Sequence, residues 1–208
     1  MPRCDRAGQD STRLQDSTGW SQGERVQLSP QVFIQQILRE AYPEVTSDDP
    51  VSYFSETGDA AEALKYSWLY WPNTVLIQGA VFLTLNGDDN KEIVDRLAIP
   101  TAEGHPDWPA MPWARMVDSY NVFEIQHLFR RSRGPSEFSE EGHRELGRIL
   151  VQTWQARLVA VYPERRFAVR MIEADDAMDL RIAVSQESPR LASPEGWDEN
   201  RRGIIGGL

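Results

Sequence analysis

With 208 residues, 40% hydrophobic and 26% charged, the chain has the make-up of one globular domain with short extensions. A net charge of −10, from 32 acidic against 22 basic residues, works against general nucleic-acid binding, which needs a basic face to neutralise phosphates. The most apolar run, around Val75–Asn86, falls short of the ~20 residues of a membrane helix and contains Gln, Thr and Gly, so no membrane span is expected.

The N-terminal stretch MPRCDRAGQDSTRLQD carries early charge without an apolar segment, which argues against a secretory signal. Cys4 is the single cysteine, so neither an intramolecular disulfide nor a cysteine-based zinc site staples the fold. A reducing, cytoplasmic location is the expectation. Residues 1–28 are rich in Ser, Gln, Asp, Gly and Arg and bury too little apolar surface to offset ordering entropy, so they read as a disordered leader.

Order is expected from residue 29. Ser29 fits an N-cap and Pro30 the first helical turn; Phe33, Ile34, Ile37 and Leu38 then share one helical face until Pro43 stops it. SDDPVSYFSETG reads as a loop. Asp59 opens DAAEALKYSWLYW, with Glu62 at capping-box spacing, Leu64 and Trp68 on one stripe and Trp71 beside it. After Pro72, TVLIQGAVFLTL is apolar at both parities, which predicts a central strand over about 75–85 covered on two sides, with a bend at Gly79.

Asp89 is placed to cap a short helix carrying Ile93, Val94 and Leu97. TAEGHPDWPAMPW then holds four helix breakers and reads as an ordered loop, because Trp108 and Trp113 seek burial. Residues 112–129 read as a helix followed by a strand with Phe123, Ile125, His127 and Phe129 on one face, although a single longer helix satisfies the same spacing. Ser139 is the best cap for the next helix, whose stripe is Leu146, Ile149, Leu150, Trp154, Leu158 and Val161. Phe167–Glu173 and Asp179–Gln186 alternate as a hairpin with Arg170 and Arg181 pointing outward.

The class is therefore α+β. A single domain over 29–189 is expected, with an antiparallel or mixed sheet, a two-sided buried central strand, a C-terminal β-hairpin over about 167–186 and packed helices. Residues 190–208, ending in GIIGGL, read as a flexible tail.

Sites for chemistry are sparse. There is no phosphate-binding glycine loop, dinucleotide fingerprint, HExxH or nucleophile elbow, and no cofactor is expected. His105 and Asp107 in HPDWP supply an imidazole and a carboxylate for acid–base or metal chemistry, and His127 is the third candidate, placed on the apolar parity of its strand. The turn EADDAMD offers Asp175, Asp176 and Asp179, with Glu173, as hard oxygen ligands for a divalent cation, although turns favour aspartate for backbone reasons alone. Tyr66, Trp68, Tyr70 and Trp71 form an aromatic series on one helix. Trp68 and Trp71 share one face and Tyr66 and Tyr70 another, so one pair faces the core and the other is open. Tyr66 and Tyr70 are taken as the open pair and as partner-binding residues.

The leading functional expectation is a non-enzymatic protein-interaction module, with an immunity- or antitoxin-type inhibitor of a basic effector as one form. The alternative is a small hydrolase-like or metal-assisted enzyme using His105, Asp107 or His127.

Overall fold

The computed structural model describes residues 30–47, 49–85, 90–99, 110–129, 136–200 and 203–204. The leader, the HPDWP loop with His105 and Asp107, and the expected caps Ser29 and Asp89 lie outside them.

Two of the helices start at an aspartate cap. Helix α1 spans Pro30–Ala41. Helix α2, Pro50–Thr57, occupies the segment expected to be a loop. Asp49 there accepts the amide of Val51 at 3.1 Å and Pro50 needs no partner for a missing N–H, so Asp-Pro is a helix start. Helix α3, Ala60–Tyr70, is capped by Asp59, which accepts Ala61 N–H at 2.8 Å.

The run expected as one strand over 75–85 is instead a hairpin of β1, Thr74–Ile77, and β2, Ala80–Leu83. Gln78 and Gly79 turn the chain with φ of 48° and 77°, the positive values that a tight two-residue hairpin requires. Gly79 is therefore a turn residue, not a bend within a strand. The two-sided burial holds for β2, all four of whose residues are buried.

Helix α4, Asn90–Ala98, buries Ile93 and Leu97. Helix α5, Trp113–Tyr120, leads into the short strand β3, Val122–Glu124, and then into a single helical turn α6, Ile125–Leu128. The strand expected through His127 thus stops at Glu124 and His127 sits on a helix. Ile125 and Phe129 satisfy helical spacing as well as alternation, Leu128 fits only the helix, and the amide of Ile125 bonds Leu180 O at 2.9 Å. Helix α7, Ser136–Val161, begins before Ser139, which is therefore not its cap. Strands β4, Arg166–Ile172, and β5, Arg181–Ser188, form the expected C-terminal hairpin, and the sheet order is β3-β5-β4, all antiparallel. Arg181, expected to point outward, folds back on the turn and is largely covered.

Two apolar cores result. The first lies between α7 and the β3-β5-β4 sheet and takes in one face of β2, with Leu150, Trp154, Leu158, Ile182, Val184, Val81 and Leu83 buried. Gly147 lets α7 approach that sheet closely, because a Cβ there would stand 2.6 Å from Met171 Sδ and 2.8 Å from Ile125 Cδ1. The second core takes the other face of the hairpin, Ile77, Ala80 and Phe82, with α4 and α5. Residues expected in a flexible tail complete it. Leu191 and Trp197 pack there, Trp197 donates to Met111 O at 3.1 Å, and strands β6, Trp197–Asp198, and β7, Gly203–Ile204, pair. Among the described residues no helix is long and apolar enough to cross a membrane.

Asn121 joins the pieces. Its backbone N–H bonds Val117 O at the end of α5, and its carbonyl accepts Val184 N–H of β5 at 3.0 Å. Its buried side chain accepts Leu83 N–H at 3.0 Å and donates to Val81 O at 2.8 Å. One amide thereby satisfies the second edge of β2, standing in for a neighbouring strand.

Candidate functional site

Helix α3 is apolar on two opposite sides. Leu69 and Tyr70 pack against the first core, and Tyr66, about half a turn from the outer stripe, stacks on Phe129 with ring centroids 6.1 Å apart. Leu64, Trp68 and Trp71 stand at i, i+4 and i+7 on the other side and are 70%, 73% and 46% exposed. No residue of α3 is fully buried. A helix with apolar side chains all round is normally enclosed, and here, among the described residues, the side of Leu69 and Tyr70 is the one that packs on the core.

The helix is nevertheless held firmly. Trp154 Nε1 donates to Leu69 O at 2.7 Å, and Arg157 Nε donates to Pro72 O at 3.2 Å. The Arg157 guanidinium also lies over the Trp71 ring, 5.4 Å from its centroid. Lys65 pairs with Glu62 and leans over Tyr66, 5.2 Å from its centroid, away from the Leu64–Trp68 stripe. Phe54 and Val51 of α2 are also exposed, at 73% and 63%.

The aromatic series therefore departs from the expectation at Tyr70. Tyr70 is half-buried, and burial, with Tyr66 nearby, lifts its phenol above the usual range. Tyr66 is flanked by Phe129 and Lys65 and is still 38% exposed. The tryptophans are the more open pair. The spacing of both pairs was visible in the sequence; which pair turns inward was not, since either face can serve as the buried one.

Among the described residues the polar candidates do not converge. His127 lies on the surface with its side chain 69% exposed, and its Nδ1 is 3.3 Å from Glu124 Oε1. Glu124 is itself anchored by the amide of Asp179 at 2.9 Å. This is an i,i+3 pair at the end of a strand, with no nucleophile contacting it among the described residues. Asp175 is committed to the turn. Its carboxylate takes Arg181 at 2.6 Å and the amides of Ala177 and Met178, and these bonds, Arg181 first, hold its pKa below the usual range. Asp179 gives its backbone to Glu124, and Asp176 is exposed. Among the described residues no three His, Cys, Asp or Glu side chains come together as a metal-holding group.

One further carboxylate was not singled out from the sequence. Asp118 of α5 is half-buried, bonds Ser185 of β5 and lies near Arg170 of β4. Burial outweighs both partners and raises its pKa. Its partners are ordinary structural groups that tie α5 to the sheet.

Comparison of the chain with protein families, with curated proteins and with solved structures finds no match in any of the three.

Proposed function

We propose that this protein is a non-enzymatic interaction module that binds another protein through the outer face of α3. The observation carrying the reading is the stripe Leu64, Trp68, Trp71, exposed on a helix whose opposite face is anchored in the core. Large apolar side chains grouped on a monomer surface lower their free energy by leaving water, and tryptophan is a favoured anchor at interfaces. The net charge of −10 speeds encounter with a basic partner, as an inhibitor of a basic effector would require.

The test is affinity capture from the host's extract by the full-length tagged chain, beside a Leu64→Ser/Trp68→Ser variant whose thermal unfolding matches the parent. A stoichiometric partner held by the parent and lost from the variant supports the reading. Recovery of no stoichiometric partner by the parent sinks it.

A further inference from the structure

We infer that α3 is a preformed helical plug that inserts into an apolar groove on a partner protein, with basic residues on the groove's rim. The inference rests on the interaction reading above and adds the mode of docking and the chemistry of the occupant.

Three observations carry it. The first is spacing: anchors at i, i+4 and i+7 are the pattern by which one helix face fills a groove. The second is what surrounds the anchors. Ala60 and Ala61 precede Leu64 by four and three positions, and Ser67 follows it by three, so the flanks of the stripe are small side chains. Groove walls can close beside Leu64 and Trp68 without meeting bulk, because Lys65 is drawn aside by Glu62 and Tyr66, and the Arg157 guanidinium over Trp71 bounds the stripe at its far end. The third is preorganisation. Asp59 caps one end and Trp154 and Arg157 hold the other, so docking does not have to order the helix first.

Charge selects the occupant. Between residues 49 and 71, Asp49, Glu56, Asp59 and Glu62 are exposed against Lys65 as the lone cation of that segment. Anionic lipid headgroups are repelled by such a surface, and membrane-lying helices carry lysine and arginine on their polar face instead. A second copy of this chain brings another −10 to the contact. A groove in a basic protein answers both the apolar stripe and the excess of exposed acids in the segment that carries it.

The experiment uses the full-length chain and the protein it captures, both purified, with dissociation constants measured by calorimetry across a salt series. Trp68→Ser and Leu64→Ser are expected each to weaken binding by tenfold or more, in line with anchor residues at ~2 kcal/mol or above. Val159→Ser, at an exposed apolar position of α7, is expected to leave binding unchanged. Glu56→Gln/Glu62→Gln is expected to weaken binding severalfold, chiefly through the association rate, and to flatten its salt dependence. Alone, the chain is expected to sediment as a monomer and not to float with phosphatidylserine–phosphatidylcholine vesicles. Binding insensitive to Trp68→Ser and Leu64→Ser overturns the inference, as does a Trp68-dependent dimer, Trp68-dependent flotation, or affinity that salt does not alter. Those outcomes leave the interaction reading standing when capture by the parent persists. If the parent captures no protein at all, the reading itself fails.

Discussion

Replacing Asn121 by Ala tests the central claim about the fold, that one side-chain amide closes the second edge of β2. The parent side chain is 2% exposed and makes two bonds, from Leu83 N–H at 3.0 Å and to Val81 O at 2.8 Å. Alanine leaves an N–H and a C=O unpaired in a strand whose four residues are all buried. Each orphaned group costs about 1–3 kcal/mol, and the vacated volume adds to that, so a loss of about 3–5 kcal/mol is expected. This is a large share of the ~5–15 kcal/mol by which domains are stable. Urea unfolding followed by tryptophan fluorescence reads it as a midpoint lowered by ~1–5 M, for a slope of ~1–3 kcal/mol/M. Asn121→Asp adds a sign test. An ionised carboxylate keeps the acceptor for Leu83 but repels Val81 O, so the buried acid favours its protonated, donating form. The folded state then binds more protons than the unfolded state, and the stability of this variant rises as pH falls toward the range where unfolded aspartate protonates. A loss for Asn121→Ala below ~1 kcal/mol, or an Asn121→Asp variant insensitive to pH, would refute the reasoning.

Two glycines of α7 are expected to respond in opposite directions. Gly147→Ala forces a Cβ to within 2.6 Å of Met171 Sδ and 2.8 Å of the buried Ile125 Cδ1, and overpacking of ~1–3 kcal/mol exceeds the helix-propensity gain. Gly142→Ala meets only Ile37 Cδ1 at 3.7 Å, so it is expected to stabilise by up to ~1 kcal/mol; thermal melts of the two variants check the contrast. Two aspartates are expected to show opposite pH signatures. Burial raises the folded pKa of Asp118, so its destabilising effect is present above that pKa and vanishes as pH falls through it. Asp118→Asn should therefore raise stability at neutral pH, with the gain fading in acid. Arg181 and two backbone amides depress the folded pKa of Asp175, so its contribution is present above the unfolded pKa and is lost as pH falls through the folded one. Asp175→Asn should lower stability at neutral pH and match the parent in acid, and equal pH profiles for the two variants would contradict both assignments.

The periodic elements were legible because their side-chain spacing has one solution. Leu150, Trp154 and Leu158 recur at helical spacing and are all buried on α7. Val169 and Val184, opposite each other in the β4–β5 register, alternate with more exposed neighbours. The apolar run after Pro72 announced burial on two faces, which holds for β2 but not for β1, where Leu76 is 47% exposed. Its division into β1 and β2 hangs on positive φ at Gln78 and Gly79, which a glutamine before a glycine signals weakly. His127 was misplaced because alternation and helical spacing coincide over a few residues, and pairing with β5 ends before it.

Local sequence determined the α+β class, most element positions, the caps at Asp49 and Asp59 as chemistry, and the existence of two aromatic faces on α3. Tertiary structure alone decided which face stays open. Trp154 and Arg157, more than 80 positions away, bond the backbone at the end of α3 and so set its rotation, turning Leu69 and Tyr70 inward and leaving Leu64 and Trp68 outside. A helix's own sequence specifies the angle between its faces, but its orientation depends on partners it does not contain.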